Sequence, residues 1–158
     1  MRYLVGLTTA AIVCASQAVA LSCIQPDVAR TFQNVAEAEE SFVVLLGEFD
    51  FVVPPRQRVI IGAQPQQATA TFTGQGLGAR GFAKTEPKTI LLQTSCAGSW
   101  CGGFPTPGTE VLSFVELTDE GYVLTLGACG GSVFDPQSAP IVEACMRGDA
   151  CEGDGIFR

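Results

Sequence analysis

Between Cys96 and Cys129 the chain reads CAGSWCGGFPTPGTEVLSFVELTDEGYVLTLGAC, and no other stretch restricts the possible folds as strongly. Two runs of strand-forming residues, Glu110–Leu117 and Gly121–Ala128, flank the short turn Thr118-Asp119-Glu120, and a cysteine stands at each outer end. This is the layout of a disulfide-tied β-hairpin. The remainder of the chain is expected to fold onto it.

What precedes the hairpin decides how many cysteines can pair. Residues 1–20 have the form of a secretory leader: Arg2 gives the positive start, Tyr3–Val13 the apolar stretch and Ala18-Val19-Ala20 an A-x-A cleavage site. Cleavage after Ala20 is expected, giving a secreted or periplasmic protein. Lipidation at Cys23 is the weaker alternative, because Ala20 stands where a lipoprotein signal usually has Leu. Cys14 leaves with the leader, so six cysteines remain (Cys23, Cys96, Cys101, Cys129, Cys145 and Cys151), an even number that implies three disulfides in an oxidising compartment. Fifteen connectivities are possible for six cysteines.

A chain of 158 residues suits one domain. With 47% hydrophobic and 16% charged residues it can fill a core, and its 18 Gly and 9 Pro favour short strands with turns. Nine basic residues less Arg2, against sixteen acids, leave the processed chain at a net charge of −8, a surface that repels nucleic-acid phosphates and anionic lipids. No long apolar run follows the leader, so no membrane span is expected.

In chain order, Pro26–Glu37 predicts a short helix with Val28, Phe32 and Val35 or Ala36 on one face. Ser41–Val53 predicts a long strand, alternating from Leu46 onward, and Arg56–Gln67, with Val59–Ile61 inside it, an extended loop or short strand. Ala68–Gly76 and Thr89–Thr94 predict further strands, the latter central, and Phe134–Pro136 ends the last one. Ser138–Met146 predicts a C-terminal helix, and residues 148–158 form an acidic Gly-rich tail beyond a domain of residues 21–147. Without β-α-β alternation these elements make a mainly β fold, and a small closed barrel with Gly47, Gly74 and Gly76 at its bends suits them better than a sandwich.

Several constellations offer chemistry, and each has a plainer reading. The chain has no His, which excludes Ser-His-Asp and Cys-His catalysis and the usual zinc sites. Ser–Lys chemistry would need Lys84 or Lys88, both in the polar KTEPK turn. Gly76-Leu77-Gly78-Ala79-Arg80-Gly81 matches G-x-G-x-x-G, yet Phe82–Pro87 cannot open the helix that a dinucleotide site requires, so a bent strand is the better explanation. Cys96-x4-Cys101 lacks redox or zinc-knuckle spacing and reads as structural. The acids Glu37, Glu39 and Glu40 read as a solvated turn. Asp149, Glu152 and Asp154 lack calcium-loop spacing, and Glu110, Glu116, Asp119 and Glu120 sit at strand ends where acids face water. No metal and no cofactor are expected. Trp100 is expected to pack on the neighbouring disulfide, with an exposed binding anchor as the alternative.

The order of elements resembles the netrin-like domain, the OB-type barrel shared with tissue inhibitors of metalloproteinases. Four pieces carry the resemblance. Leu21-Ser22-Cys23-Ile24-Gln25-Pro26 is similar to that family's Cys-x-Cys-x-x-Pro start, with Leu21 in place of the first Cys. Phe42–Phe51 resembles its first barrel strand. Trp100-Cys101-Gly102, Phe104, Pro107-Gly108 and Val111–Phe114 resemble the pattern entering its fourth strand, and Leu124–Cys129 its last. The resemblance implies a small closed OB-type barrel of about five to six antiparallel strands with a short N-terminal and a short C-terminal helix, and the leader and short chain suggest a bacterial secreted member. It also implies a Cys23–Cys129 bond; Cys101, deprived of its family partner by Leu21, then takes Cys96, and Cys145–Cys151 completes the set.

Function follows the same comparison. The family inhibits metalloproteases by presenting an N-terminal Cys amine and carbonyl to the catalytic zinc, whereas cleavage after Ala20 here leaves an untethered Leu21 whose ordering would cost the affinity it supplies. The expectation is therefore a non-enzymatic, monomeric binding domain using Leu21, Ser22, Cys23, Trp100 and Phe104, with the Thr118–Glu120 turn at the same barrel end. Its partner would be another exported protein, a protease or an envelope component. Metalloprotease inhibition through the N-terminal segment is the alternative.

Overall fold

The computed structural model describes residues 23–55 and 64–153. The expected leader, Leu21, Ser22, the Val59–Ile61 run and residues 154–158 lie outside the described residues.

Asp27 opens the first element: its Oδ1 accepts the Arg30 N–H at 2.8 Å, capping helix α1 (Val28–Glu37) just after Pro26. Five long strands follow, β1 (Ser41–Asp50), β2 (Gln67–Gly78), β4 (Lys88–Thr94), β7 (Glu110–Thr118) and β8 (Gly121–Leu126). They are hydrogen-bonded in the order β1-β2-β4-β8-β7, and β1 pairs with β7 to close a barrel of OB type. Four short strands sit around it: β3 (Gly81–Lys84) on β2, the β5 (Cys96–Ala97) and β6 (Trp100–Cys101) hairpin, and β9 (Val133–Phe134) on β7. Helix α2 (Ala139–Arg147) follows a 3-10 turn over Pro136–Ser138 and stops at Gly148, whose φ of 78° suits glycine.

The pairings are antiparallel except β4 with β8, which run parallel against the expectation of an all-antiparallel barrel. The cause is the route of the chain. β4 leaves the barrel at one end, the β5–β6 hairpin keeps it there, β7 descends, and β8 must then rise alongside β4.

Two apolar layers result. Leu45, Phe49, Ala70, Phe72, Ile90, Leu92, Val115, Leu124 and Leu126 fill the barrel, while Val28, Val44, Leu112, Phe114, Ala139 and Val142 form a second layer where α1 and α2 cover β1 and β7. This explains the unbroken apolar start of β1: Val44 and Leu45 are buried on opposite faces, and beyond the helices the strand alternates, with Glu48 and Asp50 exposed. Among the described residues Ser113 is the one polar residue with no exposed surface, its Oγ donating to the Leu45 carbonyl at 3.4 Å.

The described residues hold three disulfides, Cys23–Cys129, Cys96–Cys101 and Cys145–Cys151, chemistry consistent with an extracellular or periplasmic protein. The cysteines bounding the β7–β8 hairpin therefore pair elsewhere rather than with each other. No helix among the described residues is long and apolar enough to cross a membrane. As far as it is described, the acidic tail is tied to the helices. Cys151 bonds back to α2, Asp149 pairs with Arg147 at 2.9 Å, and Gln33 Nε2 donates to the Cys151 carbonyl at 3.3 Å.

Candidate functional site

The β5–β6 hairpin begins where β4 ends. Ser95 N–H donates to the Leu126 carbonyl at 2.9 Å, and Gly102 N–H to the Ser95 carbonyl at 3.0 Å, so the hairpin stands on the end of β8. A Cβ on Gly102 would strike the Leu126 carbonyl, which is why glycine follows Cys101. The next pair, Cys96 and Cys101, lies directly opposite with 3.9 Å between Cα atoms, and the disulfide joins them across the ribbon. Gly98, at φ 62°, supplies the turn.

This geometry overturns the expectation that Trp100 packs on the disulfide. Trp100 pairs with Ala97, one step along from the cysteines, and successive residues of a strand point to opposite faces. Its indole therefore leaves the ribbon on the face away from the sulfurs and is 66% exposed.

Cys129 stands three residues beyond β8, and its bond to Cys23 brings the N-terminal segment to the same barrel end as the hairpin. Pro26 lies over Gly130 and Gly131, and Ile24 is 80% exposed. The end of β1 arrives there too, since Gly108 N–H donates to the Phe49 carbonyl at 3.0 Å, and Val52 and Val53 are exposed beyond it. Thus Cys23 and Trp100 belong to one rim, with Ile24 and Val52 as neighbours that sequence reasoning missed. Their signal, single apolar residues beside a Cys or a Pro pair, is too weak to read.

Two expected members do not belong. Phe104 is half-buried and packs on the barrel core, its ring 5.8 Å from that of Phe51, so it plugs the barrel mouth. The Thr118–Glu120 turn precedes β8 whereas Cys129 follows it, so the turn lies at the opposite end of that strand. Leu21 and Ser22 lie outside the described residues.

Glu110 lies at the far end of β7 from Glu116, Asp119 and Glu120. Glu110 and Glu116 are separated by six residues of β7, roughly 20 Å, far beyond the spacing of paired glycosidase carboxylates. Lys88 holds its Nζ over the Tyr122 ring at 5.0 Å. Among the described residues no group of three or more His, Cys, Asp or Glu side chains is placed to hold a metal ion. Comparison with protein-family models, with curated proteins and with solved structures gave no match.

Proposed function

We propose that this chain is an exported, disulfide-stabilised and non-enzymatic interaction domain of the netrin-like type, docking on another exported protein through the rim that carries Trp100. The observation that carries the reading is the mounting of Trp100. A bulky aromatic is held in water at 66% exposure on a hairpin of two-residue strands, and that hairpin is locked by Cys96–Cys101 and seated on β8. Such a mounting removes conformational entropy before binding, the property of an anchor residue at the centre of an interface. The netrin-like assignment draws support from the closed five-stranded order, the helix preceding β1 and the Cys23–Cys129 bond.

The test uses the mature protein as bait against exported proteins of its own source, beside a Trp100→Ala bait. A partner retained by the first and lost by the second supports the reading. Equal retention on both refutes the rim.

Metalloprotease inhibition is the second reading, favoured by one observation: Cys23 is clasped to the barrel end beside the same hairpin. N-terminal sequencing of the exported protein discriminates. A chain starting at Cys23 with inhibitory activity against a zinc-protease catalytic domain supports inhibition, and one starting at Leu21 without activity excludes it.

A further inference from the structure

A second surface lies on the side wall of the barrel, under α1. There a cleft of about 390 Å³ opens between the helix and the outer faces of β7 and β8. Its apolar side is formed by Val35 of α1, Phe42 of β1, Phe114 of β7 and Val123 of β8, and the hydroxyl residues Thr31, Thr125 and Ser132 line the rest beside Gly131. One acid interrupts the apolar side. Glu116, a half-buried residue, is the direct cross-strand partner of Phe42 on one side and of Val123 on the other, so it stands between two apolar residues in one row.

Among the described residues Glu116 has neither a hydrogen-bond nor an ion-pair partner. A cation brought alongside such a carboxylate gains a charge-assisted hydrogen bond. The approach has the same sign of charge. Exposed Glu37, Glu39 and Glu40 lead from α1 into β1, and Asp119 and Glu120 follow β7, all at the barrel end nearest Glu116. Charges of one sign around a cleft raise the local concentration of the opposite ion. The half-buried Phe42 adds an aromatic side chain beside the acid, a partner that suits a cation.

We propose that this cleft binds a small amphiphilic cation, an ammonium or guanidinium group carried on an aromatic or branched-alkyl body. The volume lies at the lower end of the range for small-ligand sites, so one ring with a short amine arm fills it. The cationic head lies against Glu116 and the body against Val35, Phe42 and Val123.

The test is an NMR titration of the intact mature protein at low salt with phenethylammonium chloride, beside its anionic counterpart 3-phenylpropionate. Saturable shifts at Val35, Glu116 and Val123 are expected with the cation, with none for the anion. Glu116→Gln should weaken binding by about 10- to 100-fold, the range for loss of a charged hydrogen-bond partner. Thr31→Phe fills the cleft from its rim and leaves Glu116 in place, so it should abolish binding even if the Gln variant fails to fold. Equal shifts from cation and anion, shifts confined to other residues, no shift below about 10 mM, or unchanged binding in Thr31→Phe would each overturn the proposal. None of these outcomes touches the Trp100 rim.

Discussion

Gly47 and Gly74 face each other across β1 and β2, and a Cβ built on either would come within 2.7 Å of the other's Cα. Each would also strike a carbonyl of the facing strand, that of Thr73 from Gly47 and that of Leu46 from Gly74. Phe72 roofs the pair, its Cζ within 2.9 Å of both ideal Cβ positions. The two strands thus cross closely at one point, where β1 bends from its pairing with β7 toward β2.

That crossing makes a stability prediction with its own control. Gly47→Ala and Gly74→Ala should each cost about 2–4 kcal/mol, because backbone rather than a movable side chain is in the way. Gly76→Ala meets only Leu45 Cδ2 at 3.7 Å, ordinary contact, and should change stability by less than about 1 kcal/mol. Urea unfolding of the three variants measures the contrast, and equal losses would show that the close approach is not what these glycines serve.

The disulfides should contribute unequally. Cys23–Cys129 spans 106 residues and Cys96–Cys101 only 5. In the chain-entropy account, replacing the first pair by Ser costs about 4–5 kcal/mol and replacing the second about half as much. Calorimetry of the two double variants under non-reducing conditions tests the order, and a larger loss from the hairpin pair would contradict it.

Trp100 and Phe104 stand four residues apart and should behave oppositely. Trp100→Ala should leave stability within about 0.5 kcal/mol, as for an exposed side chain, while Phe104→Ala should cost about 2 kcal/mol by emptying the barrel mouth. Since Trp100 is the only tryptophan, its emission reports the site directly. It should be red-shifted and readily quenched by acrylamide in the native protein. A blue-shifted, protected emission would mean the indole is packed after all.

The long strands were legible because their side chains carry the pattern. SFVVLL, with successive residues buried on both faces, and GEFD, buried on one, differ in sequence as they do in the barrel. β3 was not legible. It holds only four residues, and its one large apolar side chain, Phe82, directly follows the G-x-G-x-x-G match, whose last glycine, Gly81, is the first residue of the strand, with Ala79-Arg80 as the hairpin turn. What fixes β3 is remote: Glu143 on α2 accepts the Phe82 N–H at 3.1 Å. The Trp100 rim was half legible, since the Trp-Cys-Gly run marks a tight turn, but whether the indole lies over or away from the sulfurs depends on the cross-strand register. The cleft around Glu116 was not legible at all. Its walls come from α1, three different strands and the loop after β8, and no local pattern joins them.

The clasp between Cys23 and Cys129 also bears on how the protein meets proteolysis. A single backbone cut anywhere between those two positions opens the chain without releasing either piece, which stay covalently joined until a reductant arrives. A nick there leaves both pieces on one covalent frame instead of shedding half a molecule.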